Sequence, residues 1–246
     1  MHSRTFLAAC LSAIGMAAGL LPVHALDGEA LRDPPATWNL RLVSATPELV
    51  HKEVFAHDPE AEAAAPLVPA ELGNKLPGRG FNAVTRSGKL VFTTQKDRRS
   101  LDDPLLRLGE VTLPQDTRTA IVVFAPVKNP APLALWAVAA VNDSPEHFPA
   151  GSMAAVNTCT VPVALKLEDQ KFVSQPGEIS IIADLPKGPE GKPVQLRFLY
   201  QDNGEWKMCG AGVWPHKQKS RDLAVYHWDA KRSYYIARLV RDPVAP

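Results

Sequence analysis

The chain has 246 residues, with 27 Lys and Arg against 26 Asp and Glu and a formal charge of +1. That balance leaves no basic surplus for nucleic acid or for an anionic membrane surface. Its 23 prolines exceed the usual share of about 5%. Proline ends helices and shortens strands, which weighs against a helical bundle and points to an all-β fold with many loops.

Arg4, the apolar run Phe6–Leu21, then Pro22 and Val23-His24-Ala25 have the form of a secretory leader cut after Ala25. The run holds 16 residues, short of the roughly 20 that a spanning helix needs. Leu7-Ala8-Ala9-Cys10 matches a lipid-attachment motif in letters only, because the apolar run continues past Cys10. Cleavage removes only Arg4 among charged residues, so 26 basic residues (27 less one) face 26 acidic ones. The mature chain is therefore expected to be neutral and exported, periplasmic or secreted, with no transmembrane segment. It keeps Cys159 and Cys209, an even number that reads first as a disulfide in an oxidising space. Such a bridge would close a loop of about 50 residues and contribute roughly 4 kcal/mol in the chain-entropy view.

Trp38–Val43 alternates apolar and polar residues as a half-buried strand does, and Val50–Phe55 forms a second candidate. Residues 56–80 follow as a long Pro- and Gly-rich loop. Strands resume at Leu90–Thr94 and Glu110–Leu113. Thr119–Ala125 is continuously apolar and β-branched, the pattern of a strand buried on both faces. Pro126–Pro132 reads as a stiff connector. Leu133–Val141, Met153–Asn157, Val161–Leu167, Lys171–Val173 and Glu178–Ala183 are further short strands between turn signals. The strongest local signal is a hairpin over Val194–Val213, turning at Asp202-Asn203-Gly204, since Asn-Gly supplies the positive φ of tight hairpin turns. Arg221–Trp228 and Tyr234–Val240 close the chain. No internal repeat of fixed period is visible, although the two halves could be related sandwiches. The expected architecture is an all-β antiparallel β-sandwich of two Ig-like or similar modules. Its division is a leader over 1–25, an N-terminal module over 26–130 and a C-terminal sandwich over 131–246.

Motifs for chemistry are sparse. There is no G-x-S-x-G, H-E-x-x-H or Walker-type loop. No cofactor or metal is expected. His57-Asp58-Pro59-Glu60 clusters a histidine with carboxylates and leaves room for a hydrolase or cation-binding enzyme sited in the 56–80 loop. His227 and Asp229 fall on one face of a strand. All four tyrosines and Trp206, Trp214 and Trp228 lie after residue 199. Flat aromatics on a β surface stack on sugars or anchor partners. Tyr226, Trp228, Trp206 and Trp214 are therefore the candidate binding residues for an envelope protein or polysaccharide, and their other role is core packing. A purely structural envelope component is the remaining alternative.

Val141-Asn142-Asp143-Ser144-Pro145, Phe148-Pro149-Ala150-Gly151-Ser152, Val156-Asn157, Pro176-Gly177 and Gly204-x-Trp206 together resemble a group of uncharacterised exported bacterial β-sandwich proteins. The resemblance covers about residues 120–246. It implies a β-sandwich and export, and brings no activity or site residues, since a fold alone does not fix function.

Overall fold

The computed structural model describes residues 34–61, 67–186, 192–215 and 219–243; the expected leader lies outside them. Sixteen strands occur among the described residues, with two single 3-10 turns. The fold is all-β, as composition required.

The first eight strands form two sheets. One has the order β4-β1-β7-β8, from β1 (Ala36–Ser44), β4 (Phe81–Thr85), β7 (Thr119–Ala131) and β8 (Ala134–Asn142). The other is β3-β2-β5-β6, from β2 (Glu53–His57), β3 (Ala70–Glu71), β5 (Lys89–Thr93) and β6 (Arg107–Thr112). The next eight form the sheets β12-β9-β15-β16 and β11-β10-β13-β14. Their members are β9 (Met153–Asn157), β10 (Val163–Leu167), β11 (Gln170–Ser174), β12 (Ile179–Ile182), β13 (Val194–Asp202), β14 (Glu205–Trp214), β15 (Ser220–Asp229) and β16 (Tyr234–Pro243).

Adding eight to each strand number of the first pair of sheets gives the second pair. The modules therefore share one topology. The match extends to details. Both contain one parallel pairing, β1 with β7 and β9 with β15, among antiparallel ones. Both carry a bulge at the same place, after Phe92 opposite Gly109 and after Phe198 opposite Gly210. Both stack that phenylalanine edge-on against a ring of the parallel-paired strand, Phe92 on Phe124 at 5.1 Å and Phe198 on Tyr226 at 5.8 Å. A glycine is needed beside each bulge. A Cβ at Gly109 would stand 2.8 Å from the Trp136 carbonyl, and one at Gly210 would stand 3.1 Å from the Phe198 ring.

Three apolar clusters follow from strand alternation. Trp38, Leu40 and Leu42 of β1, with Val122 and Phe124 of β7, fill the first sandwich. Leu165, Leu196, Phe198, Trp214 and Tyr226 fill the second. The opposite sides of the inner sheets pack on each other: Val43, Ile121, Val123 and Val141 meet Val156, Leu223, Val225 and Val240. These two sets occupy equivalent positions, since Val43 lies opposite Val123 and Val156 opposite Val225, while Ile121 pairs Val141 and Leu223 pairs Val240. Like face meets like face, as in a two-fold dimer, but within one chain.

Several sequence expectations change. Pro126–Pro132 is not a connector. β7 runs on to Ala131 and turns into β8 as a projecting hairpin whose pairing is irregular between Pro126 and Ala131. Proline lacks the N–H that a regular ladder needs. The chain leaves the first sandwich after β8 and enters the second at β9. Within the 56–80 loop, β3 pairs with β2, Leu72 is fully buried, and Gly73 bridges Val43. β4 had no counterpart in the sequence reading. The Val194–Val213 hairpin forms as expected, with Asn203 at φ 50° and Gly204 at φ 85°.

Candidate functional site

The aromatic residues divide by what covers them. Tyr226 is fully buried and Trp214 is 1% exposed, with the Trp214 Nε1–H donating to Asp222 at 2.8 Å. Neither faces outward, which corrects the expectation of an aromatic binding surface on β15. That strand is covered on both sides: Ala224 and Tyr226 enter the second core, while Leu223 and Val225 enter the inter-module contact. Trp228 is half-buried, 5.1 Å from Tyr235, and Lys128 from the projecting hairpin lies 4.8 Å above its ring. Tyr235 also stacks on Tyr200 at 5.4 Å, and its hydroxyl is 2.7 Å from Thr160 Oγ1. This group is a packed edge of the core. Trp206 differs, because it stands on the outer side of β14.

His57 and His227 are both buried. His57 is 3% exposed, with Nε2 2.8 Å from Thr93 Oγ1. Asp58 accepts the backbone N–H groups of Glu60 and Arg86 at 2.9 and 3.1 Å, closing a turn. Arg98 donates to the carbonyls of Asp58 and Pro59 at 3.2 and 2.8 Å. His227 is buried; its Nδ1–H donates to the Trp228 carbonyl at 3.1 Å and Nε2 has no partner. Asp229 instead accepts the N–H groups of Lys231 and Arg232, so the two do not form a pair. Burial holds the pKa of both His57 and His227 below the ordinary imidazole value. No cluster of three or more His, Cys, Asp or Glu fit to hold a metal occurs among the described residues.

The expected disulfide is not formed: Cys159 and Cys209 are free thiols. Both belong to the second core. Cys209 is the bulged residue of β14, where Leu108 stands in the first module, and the bulge turns each inward. Burial pushes the Cys209 pKa up to about 12 and raises that of Cys159 as well, the latter also through Cys209.

Sequence reasoning missed an ionic square at the module junction. Arg41 holds Asp143 through Nε and Nη2 at 2.8 and 2.7 Å, and Asp242 through Nη1 and Nη2 at 2.7 Å each. Arg221 holds Asp242 through Nε at 2.8 Å, and its Nη2 also meets Asp143. Its Nη1 donates to the Phe148 carbonyl at 2.6 Å, and the guanidinium lies 4.5 Å over the Phe148 ring. Burial opposes the Asp242 charge, but Arg41 and then Arg221 hold its pKa below the usual carboxylate range. The square borders an open cleft of about 560 Å³, closed opposite by Leu76–Gly80. Each carboxylate is matched by two guanidiniums, so this is a charge-neutral clamp. Its sequence signals, scattered single Arg and Asp residues, carry no spacing.

The outer side of the β11-β10-β13-β14 sheet has another character. Val173, Ala164, Leu199 and Met208 lie opposite one another across all four strands. Two residues along, Lys171, Lys166 and Arg197 form a parallel cationic row. Met208 is 62% and Val213 67% exposed. Lys171 Nζ stands 3.5 Å from the Trp206 ring. In the first module the equivalent positions include His57 for Lys166, Val91 for Arg197 and Thr93 for Leu199, all of them buried. There Asp58–Glu60 and the turn Arg98–Leu101, joined by the Arg98 hydrogen bonds, lie over the sheet.

The chain is thus a tandem pair of eight-stranded β-sandwiches whose outer sheets differ: the first buries His57, Val91 and Thr93 at its centre, and the second exposes Val173, Met208 and Val213. No protein-family model matches it, and no curated protein does. Among the described residues no helix is long and apolar enough to cross a membrane.

Proposed function

We propose that this chain is an exported, non-enzymatic protein that binds an envelope protein or polysaccharide through its C-terminal module. The observation that carries this reading is the bare outer side of β11-β10-β13-β14. Trp206, Met208 and Val213 stand in or near solvent there, whereas at the centre of the matching side of the first module His57, Val91 and Thr93 are buried. Exposed apolar side chains gathered on one sheet face mark an interaction site more often than scattered ones do. The polar groups that hydrolysis would need, at His57, Asp58 and the junction square, are engaged in turns and ion pairs. The leader-like N-terminus and the resemblance to exported β-sandwich proteins support the envelope as the place of action.

The test is to present the mature protein and a Trp206→Ala/Met208→Ser variant to a glycan array, and to envelope extracts for crosslinking. Partner capture should fall at least about tenfold in the variant, as hot-spot truncation does. Equal capture by both proteins would remove the face from consideration. A Tyr226→Phe variant, altered only in the core, should bind as the parent does.

A further inference from the structure

We infer that the bare sheet face is a docking surface for an acidic, amphipathic segment of a protein partner, one that sets aliphatic side chains beside carboxylates. The inference rests on the binding role proposed above and names the chemistry of its partner.

Charge comes first. Lys166 lies directly opposite Lys171 on one side and Arg197 on the other. Like charges facing each other across strands destabilise a sheet. None of the three forms a hydrogen bond or ion pair with a carboxylate among the described residues. The comparison with the first module is direct: there Arg107 and Glu110 on the corresponding edge strand neutralise each other at 2.6 Å. In the second module the equivalent residues are Met208 and Ala211, so the edge supplies no acid. Of the three, Lys171 packs on a ring among the described residues, that of Trp206. Partial loss of water, and then the charge of Lys166, lower its pKa. Glu168, at the end of β10, is engaged by the Gln195 N–H at 2.7 Å, so the cationic row is left without a bonded anion among the described residues.

Shape comes second. The apolar row runs beside the cationic row, two residues away, a separation of about 7 Å. Val173 and Met208 are 43% and 62% exposed. Aliphatic and thioether groups gain little from hydroxyl-rich sugar chains but pack well against aliphatic side chains, and methionine adapts to varied partners. A partner carrying carboxylates alone would leave Val173 and Met208 in water, and an apolar partner would leave the cations unmatched. The two rows together fit an acidic segment with aliphatic residues rather than an acidic glycan.

The test uses the mature protein and three probes: a peptide of mixed Glu and Leu, a Glu-rich peptide of equal charge with Ser replacing Leu, and polygalacturonate. Binding is followed by fluorescence anisotropy and by Trp206 emission. The Glu/Leu peptide should bind at least about tenfold more tightly than either control, and more weakly as salt rises toward 0.5 M. Lys166→Glu/Arg197→Glu should reduce its affinity at least about tenfold. Met208→Ser should weaken the Glu/Leu peptide selectively. Unchanged melting of each variant would confirm that the fold is intact. Equal or tighter binding of polygalacturonate would overturn the protein-segment assignment while leaving a binding role for the face. Binding of none of the probes, or full binding by the charge-reversed variant, would also overturn it. Loss of envelope capture on Trp206→Ala/Met208→Ser, tested separately, bears on the binding role alone.

Discussion

Asp242→Asn tests whether the ionic square holds the two modules together. The Asp242 side chain is 3% exposed and takes three short hydrogen bonds, two from Arg41 and one from Arg221. Asparagine keeps its shape and removes its charge, leaving two guanidiniums facing Asp143 alone. Removing one partner of a buried pair costs about 3–5 kcal/mol, and the conservative replacement puts the expectation near the lower end, about 3 kcal/mol. For a chain of this size that is a fall of about 6–12 °C in Tm, read by calorimetry, with urea midpoints as a second measure. The pH dependence supplies an independent check. The folded pKa of Asp242 is lowered, so its contribution is present above the unfolded value of about 3.9 and is lost as pH falls through the folded value. The parent should therefore lose stability below about pH 4 more steeply than Asp242→Asn. A loss under about 1 kcal/mol together with parallel acid profiles would refute the reasoning and leave the modules tied mainly by the apolar contact.

Gly109→Ala should cost about 2–3 kcal/mol and Gly210→Ala about 1 kcal/mol in chemical denaturation. The first new methyl meets Val138 at 2.7 Å and a backbone carbonyl at 2.8 Å, the second only a phenylalanine edge at 3.1 Å. His57 and His227 both titrate below the ordinary value when folded, so the unfolded chain binds more protons below about pH 6.5. Stability should then fall from pH 7 to pH 5 by up to about 1.4 kcal/mol per pH unit and site; His227→Leu should flatten that slope in urea titrations, and identical slopes would count against it. With its pKa pushed up to about 12, Cys209 should react with maleimide about a thousandfold more slowly in the native protein than in urea, since only the thiolate reacts. Rapid native labelling would show that the bulge opens.

What the sequence made legible was alternation and turns. Asn203-Gly204 fixed a hairpin because few residues adopt positive φ, and Thr119–Ala125 announced burial on both faces because no polar residue interrupts it. Alternation also sorted β15 into Leu223 and Val225 against Ala224 and Tyr226. It says which side chains share a face, however, and not what covers that face. A second sandwich covers it here, which is why Tyr226 is core. The ionic square was invisible for a related reason: Arg41, Asp143, Arg221 and Asp242 meet only through tertiary packing. Pro126–Pro132 misled because prolines mark linkers and irregular hairpins alike.

The duplication leaves no repeat of fixed period in the sequence because a sandwich demands apolar volume on alternate positions more than particular residues. Phe92 and Phe198, with Gly109 and Gly210, persist where ring packing and close backbone approach leave little choice. Elsewhere the equivalent positions have parted, and the pattern of parting is informative. In a dimer of identical chains each residue would occur on both sides of the axis. Within one chain, Ala125 stands where the other module has His227, and Arg41 where it has Ala154, while Asp143 and Asp242 remain matched. The two carboxylates can thus be bridged by arginines from non-equivalent positions, an arrangement closed to a symmetric pair. The same freedom separates the outer sheets. One buries His57 and Thr93; the other exposes Lys171 and Arg197 and, at the two ends of its aliphatic row, Val173 and Met208. Cations at Lys166 and Arg197 where the twin buries His57 and Val91 are not a requirement of the fold, and that asymmetry is the physical basis for assigning the face a partner.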